Sequence, residues 1–294
     1  MALTLPAVAQ QTVRLVVPFP VGGGNDRVAR LLSPHLAEGL VRPVVVENRP
    51  GADGTIGANY VARAEPDGSM LLVSGNALAT STANTEMRFD PQRDLRPVIQ
   101  LTTAPLFLVA NADLGARTAL DLRALAKQRP KGLNCGGMGG RALGCEHLRT
   151  ALGGVETIPY QGMAPALKAL LSGEVDLMFA PRDQLPALTA SGRVLVLATV
   201  TDQPAAPPYD HVPLLKDAYP GLDFSNFTAV FVAAGTPDDV VQQYNREFNR
   251  ILALPEVRAA IKLLDVFSVG GAPEVLRETL AHELKNYRHA KPAP

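Results

Sequence analysis

Long apolar runs are missing from this chain: none approaches the roughly 20 residues needed to cross a bilayer as a helix. An excess of charge of either sign is missing too. Lys+Arg and Asp+Glu both number 28 in 294 residues, so no global field draws the protein to nucleic acid or to an anionic membrane. Any selectivity for charge must be local. Cysteine is scarce. Cys135 and Cys145 cannot make a four-ligand zinc site even with His147 nearby. Hydrolase signatures are absent: there is no G-x-S-x-G and no H-E-x-x-H, and the five histidines are scattered. No constellation of nucleophile, base and metal ligands emerges, so the chain reads as a non-enzyme with no cofactor. Tryptophan is absent as well, which leaves binding studies dependent on a reporter dye.

Glycine and proline, 25 each, are plentiful and punctuate a regular alternation of short apolar runs and helical patterns. Strands are expected at 13–17, 44–47, 70–74, 106–110, 157–160, 175–179, 194–200 and 227–233, with a short β-like run at 267–269. Helices are expected at 26–40, 55–63, 118–128, 165–171, 183–190, 237–252, 255–264 and 273–286, with another ending near residue 152. Continuous apolar strands alternating with helices imply largely parallel sheets covered on both faces, the α/β class. In the first helix Val28, Leu31, Leu32 and Leu36 share a face. Asp26 is placed as its N-cap, and Pro34 is expected to bend or shorten it.

The most informative stretch is VRLVVPFPVGGGND, residues 13–26. A strand run ends in Pro18-Phe19-Pro20, three glycines follow, and a helix begins. Glycines expose backbone N–H groups, and a helix N-terminus adds partial positive charge, so the segment can hold a small anion with amides alone. The third glycine of a G-x-G-x-x-G fingerprint is replaced by Arg27, and the G-K-[S/T] ending of a P-loop by Asn25-Asp26, which argues against a nucleotide. A bare flexible turn is the alternative. The theme of strand, Gly-rich turn and helix returns at 133–148. Two such turns facing each other would line a cleft with helix N-termini. Glu47 to Gly54, ENRPGADG, reads by itself as a charged, Gly-rich turn leading into a helix.

Three segments carry a resemblance: VRLVVPFPVGGGNDRVARLLSPHL, PVVVENRPGADGTIGANYVARAEPDG and VETIPYQGMAPALKALLSGEVDLMF. Together with FDPQRDLRPV and VAAGTPDDVVQQYNREFNRIL, and in the same order along essentially the whole chain, they resemble the Bug-type receptors. These are the extracytoplasmic solute-binding proteins of tripartite tricarboxylate transport systems. The resemblance implies a periplasmic-binding-protein fold of two α/β domains, residues 10–107 with 230–294 and residues 108–229, joined by crossings near 106–110 and 227–233. It implies one small carboxylate between the domains, held mainly by backbone amides, with membrane transporter subunits as partners, no nucleic acid, and a monomer that closes by a hinge. A sensory protein with a signalling partner, or an enzyme acting on a small anion, are the rival readings.

Carried over by motif, Val21, Gly22, Gly23, Gly24, Asn25 and Asp26 would form one wall of the site. Ser74, Asn76 and Ala77 would form a second. Gly139, Gly140 and Arg141, with Tyr160 and Gly162 of PYQG, would come from the other domain. Three departures from the family pattern stand out. Val21 replaces a common proline. The loop CGGMGGRALGC is longer, carries Arg141 and is flanked by both cysteines. Ala180-Pro181-Arg182 stands where an aspartate is common. Loss of the acid and gain of Arg141 and Arg182 would favour a more acidic or larger anion and disfavour an amino acid, unless both arginines face solvent. MALTLPAVAQ at the start reads as the end of a signal peptide, residues 1–9, and so as export to the periplasm. In an exported protein Cys135 and Cys145 are a candidate disulfide.

Overall fold

The computed structural model describes residues 11–79, 89–137, 142–160, 163–201, 204–222, 224, 226–264 and 266–290. Two sheets organise them. In the first, β1 (Val13–Val17) pairs in parallel with β2 (Val44–Asn48) and β3 (Met70–Gly75). β10 (Asn226–Ala233) lies antiparallel between β3 and β4 (Leu95–Ala104), and the two-residue β11 (Phe267–Ser268) adds to β4. In the second, β6 (Leu133–Gly137) is parallel to β7 (Val155–Pro159) and β8 (Leu177–Pro181). There β5 (Leu106–Asn111) runs antiparallel between β8 and β9 (Val194–Val200). Each sheet is thus mixed, with a parallel trio of strands (β1–β3, β6–β8) joined through one antiparallel strand, β10 or β5, to the rest of the sheet.

The strands are apolar on both faces, as helix-covered sheets require. Leu106, Leu108 and Ala110 of β5 enter one buried cluster, and Phe107 and Val109 enter another on the opposite face. The first sheet divides likewise: Val13, Leu15 and Val17 look one way, Val16 and Leu72 the other. The helices that supply the covering layers are α1 (Gly24–Leu40), α2 (Thr55–Ala62), α3 (Asp121–Gln128), α4 (Ala142–Leu152), α5 (Met163–Ser172), α6 (Leu185–Thr189), α7 (Asp238–Ala253), α8 (Pro255–Leu263) and α9 (Pro273–Ala290).

Three expectations about these elements change. Helix α1 is not cut short at Pro34 but runs on to Leu40. Proline removes the N–H that would have bonded the carbonyl of Arg30, and the Ser33 hydroxyl donates to that carbonyl instead, at 3.3 Å. Strand β4, ten residues long, was not anticipated, because Pro97 and Gln100 interrupt its apolar run. A register irregularity in the pairing with β10, between Val230 and Phe231, accommodates Pro97. The sheets part at Pro105 and between Leu222 and Asn226 rather than at 107/108 and 229/230. All of β10 belongs to the first sheet, and Leu106 and Phe107 belong to the second.

Candidate functional site

The strand pairing alone locates the seam between the two sheets. Gly75, the last residue of β3, is paired with Thr228 near the start of β10, just after the chain returns from the second sheet. Pro181, the last residue of β8, is paired with Leu106, just after the chain leaves the first. The C-terminal ends of the parallel strands in both sheets therefore lie beside the two crossings. Loops that follow such ends are the usual place for a ligand in open α/β sheets. The loops that follow β1, β3 and β8 begin there.

After β1, residues 18–23 turn into α1. Gly22 has φ of +84°, in the left-handed region that glycine tolerates without strain. Helix α1 begins at Gly24 with Gly23 as its cap residue. The N–H groups of Gly24, Asn25 and Asp26 have no intrahelical acceptor, and no side chain caps them. Val21, Gly22 and Gly24 are exposed. Backbone donors at a helix start, with the positive end of the helix dipole behind them, form a ready anion site.

Asp26 plays a different part from the one expected. It is neither the N-cap nor turned to the surface: its side chain is 1% exposed, and Oδ2 accepts the N–H of Gly22 at 2.9 Å. Burial would raise its pKa. Hydrogen bonds from Arg30, the Gly22 amide and Asn48, together with the charge of Arg30, more than offset this and hold it at about 2. The carboxylate is thus neutralised from behind and does not oppose an anion in front of the amides. Asn25 is also committed, its Oδ1 accepting from the Thr228 hydroxyl at 2.8 Å.

That contact joins the first two expected walls. Thr228 faces Asn25 through its side chain and Gly75 through the sheet, so residues 22–26 and 74–77 share one rim of the seam. Ser74 is buried in β3, and Asn76 caps the next turn with its carbonyl on the Ala79 N–H. A Cβ on Gly75 would lie 1.8 Å from the Phe227 carbonyl oxygen, so only glycine allows β10 this close. Sequence reasoning missed Thr228. Its one signal was its position at the head of the late apolar strand.

On the second sheet Cys135 and Cys145 are joined, with Cα atoms 5.6 Å apart and S–S 2.07 Å, tying β6 to α4. Both are fully buried. Gly144 presses α4 onto Phe179, where a Cβ would come within 2.4 Å of the ring. His147 of α4 stacks on Phe224, at a centroid distance of 5.1 Å, and Phe224 meets Phe179 edge-on at 5.3 Å. The expected site residues Gly139, Gly140, Arg141 and Gly162 lie outside the described residues.

The two remaining candidates, Tyr160 and Arg182, each have a partner within the protein. The Tyr160 hydroxyl donates to Glu174 Oε1 at 2.9 Å, and its ring covers β6 at Gly136. Burial and the neighbouring Glu174 carboxylate push the phenol pKa up. Tyr160 thus braces the strand that carries the second Gly-rich loop. Arg182 does sit at the end of β8, but its guanidinium donates to the carbonyls of Ala206 (3.1 Å) and Pro207 and lies over the Tyr209 ring. Through these contacts it holds down the proline-rich segment after β9.

Among the described residues no cluster of His, Cys, Asp and Glu could hold a metal ion, and no helix is long and apolar enough to cross a membrane. The chain matches the family described as "Tripartite tricarboxylate transporter family receptor" over residues 28–285. The chain belongs to that family. One family relative is a UPF0065 protein encoded in the tcbD-tcbE intergenic region of Pseudomonas sp. strain P51. It is 34% identical over 297 residues, covering 98% of this chain and 87% of the relative. Among solved structures, Rpa4515 of R. palustris with adipate superposes with a TM-score of 0.76 at 29% identity, covering 97% of this chain and 98% of its own. MatC from Rhodopseudomonas palustris with bound malate gives 0.75 at 29% identity, covering 98% and 100%. This family member thus has the two-domain fold of periplasmic binding proteins and the binding role of a solute receptor.

Proposed function

We propose that this family member is an extracytoplasmic receptor that captures a small dicarboxylate-type anion at the seam between its two sheets. The domains would turn about Pro105 and the segment around Phe224, and the closed form would be handed to membrane transporter subunits. The observation that carries this reading is the row of uncapped N–H groups on Gly24, Asn25 and Asp26 at the seam, backed by a carboxylate already neutralised by Arg30. Malate and adipate, the ligands of two structural relatives, are both small dicarboxylates. A ligand that meets both half-sites only in the closed form shifts the population towards closure. Gly139, Gly140, Arg141 and Gly162 would supply the second half-site, with Arg141 the residue that selects a second carboxylate. An Arg141→Ala variant with unchanged affinity would remove that role.

The test is a thermal-shift panel on refolded, ligand-stripped protein with a reporter dye, spanning mono-, di- and tricarboxylates, aromatic acids and amino acids. At about 100-fold above Kd a true ligand stabilises by ~2.7 kcal/mol, a shift of several degrees for a chain of this size. A response confined to dicarboxylates supports the reading, and silence across all carboxylates from folded, empty protein sinks it. Recovery of the ligand unaltered after incubation separates a receptor from an enzyme.

A further inference from the structure

Behind the first binding loop lies a polar triangle that the family's site amides do not explain. Asn48, the last residue of β2, donates through Nδ2 to the Phe19 carbonyl at 3.1 Å and to Asp26 Oδ1 at 2.8 Å. Arg30, one turn along α1, donates through Nε to both Asp26 oxygens at 3.0 and 2.9 Å, and through a terminal nitrogen to Asn48 Oδ1 at 2.9 Å. Asp26 Oδ2 takes the Gly22 N–H at 2.9 Å. Every polar atom of the Asn48 side chain is used. One carboxylate and one amide thereby hold the loop where it leaves β1, at Phe19, and where it enters α1, at Gly22.

The loop needs such a hold. Three consecutive glycines leave it with more conformational freedom to lose than any other tripeptide. The segment after β2 completes the support. A Cβ on Gly54 would approach the Phe19 ring to 3.1 Å, and one on Gly57 would reach 2.9 Å from Pro18 and 2.8 Å from the Arg49 carbonyl. Only glycines let α2 and its leading turn close against Pro18 and Phe19. The Glu47–Gly54 segment is therefore the rear face of the binding loop as well as a surface turn.

We infer that Asn48 and Arg30 are positioning residues: without touching ligand, they hold the residue 22–26 amides in the arrangement that binds it. The inference rests on the proposed site, and the experiment separates the two. Backbone amide relaxation is measured on ligand-free wild type, Asn48→Ala and Arg30→Gln, with Kd for adipate and malate on the same samples. In wild type, the Gly22 to Asp26 amides are expected to be as ordered as those of Val28 to Leu36, with order parameters near ~0.85. In Asn48→Ala they fall below ~0.6 while those of Val28 to Leu36 stay unchanged, and affinity drops at least about tenfold, the equivalent of ~1.4 kcal/mol. Arg30→Gln, at a half-exposed side chain, shows the same pattern more weakly.

A merely structural role would lower the melting point and leave both readouts of the folded protein unmoved, which overturns the inference. So would amides that loosen while affinity stays at its wild-type value. If wild type binds neither dicarboxylate, the proposed ligand class fails, and the relaxation data still decide whether Asn48 and Arg30 order the loop.

Discussion

The Cys135–Cys145 bond offers a perturbation whose magnitude can be worked from chain geometry. The cysteines are ten residues apart in sequence. In the chain-entropy treatment, closing a loop of that length removes ~9 cal/mol/K from the unfolded ensemble, or ~2.7 kcal/mol at 25 °C. Both sulfurs are fully buried, so a reductant acting on the folded protein should be slow. The perturbation is best made as Cys135→Ala/Cys145→Ala, or by reduction in denaturant followed by refolding. With ~2–4 °C of melting point per kcal/mol for a cooperative unit of this size, the expected loss is roughly 5–10 °C by calorimetry. The urea m-value should rise slightly, because the unlinked chain exposes more surface on unfolding. Thiol counting in denaturant verifies the redox state. A verified thiol form that melts at the same temperature as the oxidised protein would refute the reasoning.

Three other substitutions test the rest of the account. Asp26 has a folded pKa of about 2 against 3.8 unfolded, so its stabilisation is present above pH ~4 and is lost as the pH falls towards 2. Asp26→Asn should cost about 2 kcal/mol at neutral pH, and denaturation across this range should show its gap from wild type narrowing in acid; a constant gap contradicts the assignment. Gly75→Ala places a methyl group against the Phe227 carbonyl and should destabilise by roughly 1–3 kcal/mol, read from urea denaturation midpoints. Arg182→Ala should raise hydrogen exchange in residues 204–213 and leave dicarboxylate affinity within about twofold, or ~0.4 kcal/mol; a large affinity loss would return Arg182 to the ligand.

How much of this could be read from the chain depends on where each residue's partner lies. Strand β1, its glycines and α1 were legible because an apolar run, a Gly-rich turn and a helical stripe are adjacent and local. The parallel trios β1–β3 and β6–β8 followed from the same alternation, whereas the antiparallel strands β5 and β10 beside them had no such local signal. Strand β4 was hidden because Pro97 and Gln100 break its pattern, and only its register with β10 shows how a proline is accommodated. Asp26 was rightly tied to the start of α1 but given the wrong partner, since its backward reach to Gly22, with help from Asn48 across the sheet, is a tertiary contact. Arg182 and Tyr160 were placed at the site because their motifs end strands. Their actual partners, Ala206 and Glu174, sit in other segments with no spacing to reveal them. Thr228 was invisible as a site neighbour because its importance comes from standing opposite Gly75.

The position of β10 also sets an order of events. It lies in the middle of the first sheet, between β3 and β4, yet it is made after the whole second sheet. As the chain emerges from synthesis, β1 to β4 must wait with a gap at their centre, whereas β5 to β9 form an uninterrupted stretch that can close at once. The first sheet cannot seal its core until residues 226–233 arrive, so this half of the protein stays open until after the second sheet has been made.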